Sequence, residues 1–333
     1  MLRVLMPITP VDPFRAAPWL IGGHLQTIVP TLVRKLERPW PLRRERWATP
    51  ADDDFIDVDW QDHDEQAPLL VMFHGLEGGS SSPYARAFAQ AAEHAGWRFA
   101  VPHFRGCSGE INRAPRSYHS GDHEEVDWIL RCFRQRHAGP IVAVGVSLGG
   151  NALLRWIEES GEQAGRILSS AAALSAPLDL TAGGTALGQG FINFNVYTRS
   201  FMRTLRPKAL AKLAQHPGLF DARRLQAART LYDFDDVYTG PVHGFAGAAD
   251  YWRRASSKPH LRAIRIPTLV LNARNDPFLP ARTLPGPPAV SRWVTLWQPA
   301  HGGHVGFPGP RWPWGRDPVP HAVMDWLDRH RGS

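Results

Sequence analysis

A chain of 333 residues with 43% hydrophobic and 21% charged residues has the ordinary balance of a globular protein, enough for one large α/β domain or two smaller ones. No run of about 18 apolar residues is present, which excludes a membrane-spanning helix, and Cys107 and Cys132 form no metal or redox pair. The net charge of +7, with basic clusters at Arg43-Arg44 and around Arg199, Arg203, Arg206 and Lys208, comes without a nucleic-acid-binding motif, so it reads as solvated arginine-rich surface.

Residues 1–50 are rich in Pro and Trp and read as an extended N-terminal arm packed on the body. The start, MLRVLMPITPVDPF, is broken by prolines and makes a poor secretory signal. With so few cysteines this points to the cytoplasm. In DFIDVDW (54–60), Ile56, Val58 and Trp60 share one face and Asp57 and Asp59 the other, the period of a half-buried strand. The run Asp52-Asp53-Asp54 lacks the glycine and distal glutamate of a calcium loop and reads as a turn with a solvated edge.

A regular alternation follows. LLVMFH (69–74), WRFAVPHF (97–104), IVAVGV (141–146) and RILSSAAALSA (166–176) read as strands. Helical patterns at about 84–95, 122–136 and 148–159 separate them. Strand and helix in strict turn imply a parallel sheet with helices on both faces. Residues 177–262 then show helical stretches and no clear strand, before TLVLNAR (268–274) and RWVTLWQ (292–298) resume the sheet and 320–330 closes as a helix. The block 177–262 is therefore expected as a helical cap inserted in the body, 51–333. Its basic pattern at 198–214 interleaves Phe201, Met202, Leu205 and Leu210 with cations. Two readings stay open: peripheral membrane contact, or packing of a cap helix on the body.

GVSLGGN (145–151) carries the strongest chemical signal. Gly145, Ser147 and Gly149 fit G-x-S-x-G between a buried strand and a helix, the context in which the serine sits on a sharp turn above the sheet edge. The small residues two before and two after let neighbouring backbone approach. A serine hydroxyl needs a base, and the base an orienting carboxylate. On such a sheet the chain order is Ser, Asp or Glu, His. Asp276 lies just past the strand TLVLNAR, and the next strand runs into QPAHGGHVGF, so the base is expected at His301 or His304. The backbone N–H groups of Leu148, after the serine, and Leu76, in HGLEGGSSSPY, are the expected oxyanion donors. Gly75 in that loop, and Arg105 and Cys107 after another strand, are candidate substrate contacts. His74 reads as structural. No ligand set at metal spacing accompanies the histidines, so no metal or cofactor is expected.

The motifs PWLIGGHLQTIVP (18–30), FHGLEGGSSSPYAR (73–86), HFRGCSGEINRAPRSYHSG (103–121), GVSLGGNALLRW (145–156), DDVYTGPVHGFAGAADYWRRAS (235–256), LNARNDPF (271–278) and GGHVGF (302–307) resemble the YheT-like family of α/β-hydrolases, which also includes eukaryotic α/β-hydrolase-domain esterases and lipases. The resemblance spans nearly the whole chain. It implies an α/β-hydrolase fold, a mostly parallel sheet of about eight strands, and carboxylic ester hydrolysis by Ser147, Asp276 and His304. The pattern G-G-H-x-G-F selects His304 over His301, which becomes a supporting residue. Trp252 departs from the tyrosine common at its place in relatives. The implied substrates are short- to medium-chain acyl esters or acylglycerols, small-molecule or lipid. An acyltransferase using the same residues is the alternative, and a non-catalytic binding module a third reading. Oligomeric state is left open.

Overall fold

Leu69-Leu70-Val71-Met72-Phe73 is buried along its whole length because both faces of the strand are covered. Leu69, Val71 and Phe73 join a core cluster with α-helical residues such as Ile129, Leu153 and Trp156. Leu70 and Met72 point the other way, onto Phe88, Val323 and Trp326. This period-2 division repeats in residues 141–146 and builds a three-layer molecule, helices on both sides of a sheet.

The computed structural model describes residues 14–34, 41–50, 52–313 and 318–332. The proline-broken start, and part of the expected arm, lie outside the described residues. One sheet contains β1 (Arg43–Ala48), β2 (Phe55–Gln61), β3 (Leu69–Phe73), β4 (Arg98–Pro102), β5 (Ile141–Val146), β6 (Ser170–Leu174), β7 (Thr268–Leu271) and β8 (Val294–Trp297), in the order β1-β2-β4-β3-β5-β6-β7-β8. β2 is antiparallel to both neighbours, and the strands from β4 to β8 are mutually parallel. The loops after β3, β5, β7 and β8 therefore emerge at one sheet edge, where open α/β sheets place their sites.

The helices are α1 (Gly22–Arg34), α2 (Pro83–His94), α3 (His123–Arg136), α4 (Leu148–Ser160), α5 (Leu180–Gly188), α6 (Arg199–Gln215), α7 (Ala222–Ala227), α8 (Leu231–Phe234), α9 (Gly240–Val242), α10 (Ala248–Ala255) and α11 (Pro318–His330). Those from α5 to α10, with π-helical turns at Asn193–Thr198 and Asp235–Thr239, lie between β6 and β7. They have a core of their own, in which Met202 and Leu205 of α6 pack with Leu225, Phe234 and Tyr238, and Phe201 and Leu210 lean on it. The apolar residues of 198–214 thus pack inward, within the cap.

Three expectations change. The arm is not simply extended: α1 is a helix, and β1 is the edge strand of the sheet. The acidic face of β2 is not half-exposed, since Asp57 and Asp59 are buried. The β1 register sets Arg46 opposite Asp57 and Arg44 opposite Asp59, and each arginine grips its carboxylate through Nε at 2.7 and 2.6 Å. Asp54 is not at a solvated edge either. It accepts from Asn112 Nδ2 at 2.6 Å, from Arg105 Nη1 at 2.8 Å and from the Arg113 N–H at 2.7 Å. Burial alone raises such a carboxyl; here its hydrogen bonds outweigh burial and hold it below its ordinary range.

Candidate active site

Ser147 stands between β5 and α4 at φ 52°, ψ −119°, a conformation that stores strain in a non-glycine residue. Packing enforces it. A Cβ on Gly145 would sit 2.5 Å from the Gly149 carbonyl oxygen, and one on Gly149 would sit 2.4 Å from that of His74. The spacing of the G-x-S-x-G motif is therefore steric: β5, the first turn of α4 and the end of β3 touch backbone to backbone. The Ser147 N–H donates to the Leu174 carbonyl of β6 at 2.8 Å, which pins the turn to the sheet.

The other two members of the group arrive from β7 and β8. Asp276 is buried, and its Oδ1 accepts from the Phe278 N–H at 2.8 Å. Its Oδ2 accepts from His304 Nδ1 at 2.8 Å. His304 Nε2 lies 3.0 Å from Ser147 Oγ. The imidazole is stacked obliquely on Phe278, ring centroids 4.1 Å apart. One ring thus joins a hydroxyl to a carboxylate, the arrangement that lets a base accept a proton while its charge is stabilised. Ser147 and His304 open into a mainly apolar cavity of about 150 Å³ beneath the cap, bordered by Leu180, Leu187, Phe201, Leu205 and Leu231.

A sequence profile described as the alpha/beta hydrolase fold matches residues 68–309. The chain belongs to the α/β-hydrolase family. YheT of Escherichia coli (strain K12), named as a candidate esterase, is 41% identical over 293 residues, covering 86% of this chain and 84% of that protein. The human phospholipase ABHD3 is 27% identical over 311 residues, covering 89% and 73%. Among solved structures, Est1E of Butyrivibrio proteoclasticus with bound ferulic acid superimposes with a TM-score of 0.55 at 14% identity, covering 85% of this chain and 98% of that one, a likeness of fold.

In this α/β-hydrolase the histidine loop is braced by α1, which the sequence reading does not foresee. The His304 N–H donates to Thr27 Oγ1 at 2.8 Å, and Thr27 Oγ1 donates to the Gly23 carbonyl at 2.7 Å. Gln26 Oε1 accepts from the Gly302 N–H at 2.8 Å and from Asn275 Nδ2 at 2.9 Å. The Gly303 N–H donates to Asn275 Oδ1 at 3.1 Å. The glycines permit this contact: a Cβ on Gly23 would lie 1.9 Å from the Asn275 carbonyl oxygen, and one on Gly306 would lie 1.8 Å from that of Gln26. The doubled G-G-H in IGGHLQT and HGGHVGF is the one sequence signal of this junction. His301 is exposed, its Nδ1 3.4 Å from Asn275 Nδ2, and it stands outside the Ser147–His304–Asp276 group.

The loop after β3 borders the same cavity through Leu76 and Glu77, as Leu148 does from the start of α4. The N–H groups of Gly75 and Glu77 donate to the hydroxyls of Tyr84 and Tyr118, at 2.8 and 2.9 Å. Leu148 opens α4, where N–H groups have no intrahelical acceptor. Glu77 Oε2 pairs with Lys208 Nζ of α6 at 2.9 Å, tying the loop to the cap. His74 supports the loop from below: its Nδ1 donates to the Gly75 carbonyl at 2.8 Å and its Nε2 accepts from the Phe104 N–H at 3.0 Å. Full burial pushes it down to about 3 and keeps it neutral.

The three candidate substrate contacts fare differently. Gly75 is buried directly under the serine, where a Cβ would lie 3.3 Å from Ser147 Cβ. Arg105 borders the cavity, but its guanidinium is held by Asp52 at 2.6 Å, Asp54 at 2.8 Å and Glu125 at 2.5 Å. It neutralises a buried acidic cluster and has no free fork for a ligand. Cys107 Sγ lies 4.0 Å from Glu77 Oε1 and from Lys208 Nζ. Burial pushes its thiol up to about 12, so the thiolate needed for a nucleophile is absent at neutral pH.

Proposed function

We propose that this chain is a serine carboxylic-ester hydrolase acting through Ser147, His304 and Asp276. The observation that carries the reading is the single imidazole spanning Ser147 Oγ at 3.0 Å and Asp276 Oδ2 at 2.8 Å at the floor of an apolar cavity. The Ser147 oxygen attacks the ester carbonyl as its proton passes to His304 Nε2, and Asp276 stabilises the resulting imidazolium. The Leu76 and Leu148 N–H groups receive the oxyanion. Collapse of the tetrahedral adduct expels the alcohol, which takes the proton from His304 and leaves an acyl-Ser147. Water then repeats the sequence and frees the acid. The names of relatives, a candidate esterase and a phospholipase, support ester bonds as the target. The apolar lining beside Ser147, with Leu180, Leu187 and Leu205, supports an acyl chain as its occupant, here proposed as short to medium in length, free or in acylglycerols.

The test is hydrolysis of a p-nitrophenyl ester series of increasing acyl length by the wild type and Ser147→Ala. Turnover of the shorter esters that vanishes in Ser147→Ala is expected. Absence of wild-type turnover throughout the series, or turnover retained by Ser147→Ala, overturns the proposal.

A further inference from the structure

Eight of the nine exposed large apolar side chains among the described residues fall in two short segments, 19–33 around α1 and 191–196 at the entry to α6. Two of them are almost fully bare: Phe191 is 82% exposed and Ile21 79%. The segments are far apart in sequence but adjacent in space. His24 Nδ1 lies 3.2 Å from the Tyr197 hydroxyl, and the two rings stack at 5.8 Å. Between them runs a groove of about 690 Å³ that is bordered by Ile28, Leu32, Val196 and Tyr197 and reaches Ser147 and His304. Of the eight bare side chains, Leu32 and Val196 border this groove, one from each segment; bare apolar side chains gathered in adjoining segments mark an interaction surface, whereas scattered ones do not.

Charge identifies the partner. Residues 14–33 and 180–220 contain no Asp or Glu. Arg199, exposed and 5.9 Å from the Phe194 ring, and Arg203, on the groove, flank the rim. The arginines of β1, by contrast, are paired with carboxylates. An apolar rim with unopposed cations fits the headgroup–acyl boundary of an anionic lipid layer, in which the side chains insert while the guanidinium groups meet phosphate. We propose that the rim formed by α1 and residues 191–203 docks this protein on an anionic lipid surface, with the groove facing the layer. The docking stands apart from the chemistry at Ser147; delivery of an ester along the groove rests on the hydrolase reading.

The experiment is flotation of the full chain carrying Ser147→Ala, which leaves the lipid intact, with vesicles of phosphatidylcholine alone or containing about one-third phosphatidylglycerol. Binding to the anionic vesicles that weakens at high salt is expected. The double variant Phe191→Ser/Ile192→Ser in that background should bind about tenfold more weakly or worse, and Arg199→Glu at least about fivefold more weakly. The same rim substitutions in the active chain should leave turnover of dissolved p-nitrophenyl acetate unchanged, which shows that they remain folded. Failure to float with anionic vesicles, or rim variants that bind as tightly as their parent, overturns the proposal. So does a dimer in sedimentation that the Phe191→Ser/Ile192→Ser change dissolves, since a second copy then covers the rim. Because binding is read without turnover, an inactive wild type that still floats overturns the hydrolase reading and leaves the docking intact.

Discussion

Replacing Thr27 by Val keeps the shape of a buried side chain and removes one oxygen. That oxygen accepts from the His304 N–H at 2.8 Å and donates to the Gly23 carbonyl at 2.7 Å. Val leaves the His304 N–H without its acceptor, a loss of about 1–3 kcal/mol for a buried donor. Some of this loss appears as a melting temperature lower by a few degrees. The rest appears in catalysis, because the loop relieves the loss by moving and carries His304 Nε2 away from its 3.0 Å approach to Ser147 Oγ. A misplacement of about 1 Å at reacting groups lowers turnover about 100-fold. The expected result is kcat reduced by about ten- to 100-fold with KM little changed, since Thr27 acts by positioning the base. The assay is steady-state hydrolysis of a p-nitrophenyl ester beside a thermal melt, with Thr27→Ser as the variant that retains the oxygen and restores kcat. A Thr27→Val enzyme with unchanged kcat and melting temperature refutes the idea that α1 holds the histidine.

The remaining expectations concern the same framework. His304→Ala abolishes ester turnover whereas His301→Ala retains most of it; equal losses in the two kinetic measurements contradict the assignment of the base. Gly149→Ala forces a Cβ to within 2.4 Å of the His74 carbonyl oxygen, so it destabilises the fold by about 1–3 kcal/mol or more and displaces Ser147. A denaturant midpoint equal to the wild type's argues against that steric account. Burial pushes Asp235, which accepts from Trp252 Nε1 at 2.7 Å, up to about 6. The folded state therefore holds a proton that the unfolded chain releases nearer pH 4, and Asp235 makes stability fall as pH rises from about 4 to about 6. In Asp235→Asn this contribution disappears, and the variant gains stability relative to wild type across that window. A stability difference between the two proteins that is flat with pH, from midpoints at pH 4.5 and 6.5, contradicts it.

The turn at Ser147 is legible in the sequence because its requirement is local. Two glycines flank a serine where strand, helix and a second strand end touch, and no larger residue fits. Asp276 and His304 are legible because each follows a recognisable buried strand, and parallel strands deliver their loops to one edge. The brace from α1 is not legible in that way. Gln26 and Thr27 meet a loop more than 270 residues away, and on their own they look like polar positions in an extended arm. Only the repeated glycine doublets hint that two backbones meet. The acidic positions Asp54, Asp57 and Asp59 mislead for a related reason: carboxylates suggest solvent unless their partners are known. Arg44 and Arg46 come from an edge strand without apolar alternation, and Arg105 and Asn112 come from loops. Arg105 illustrates the converse error. Its place after β4 suggests a cleft, yet three carboxylates claim its guanidinium. The apolar residues of α6 fill the cap's own core, and the exposed rim is built by neighbours whose adjacency depends on the tertiary fold.

The central claim, that Ser147 is an activated nucleophile, is tested most directly by reaction with a fluorophosphonate probe followed by peptide mass spectrometry. The expected result is one adduct, on Ser147, formed rapidly by the wild type, absent in Ser147→Ala and strongly slowed in His304→Ala. A wild-type protein that takes no label, or an adduct on another residue that persists in Ser147→Ala, contradicts the account.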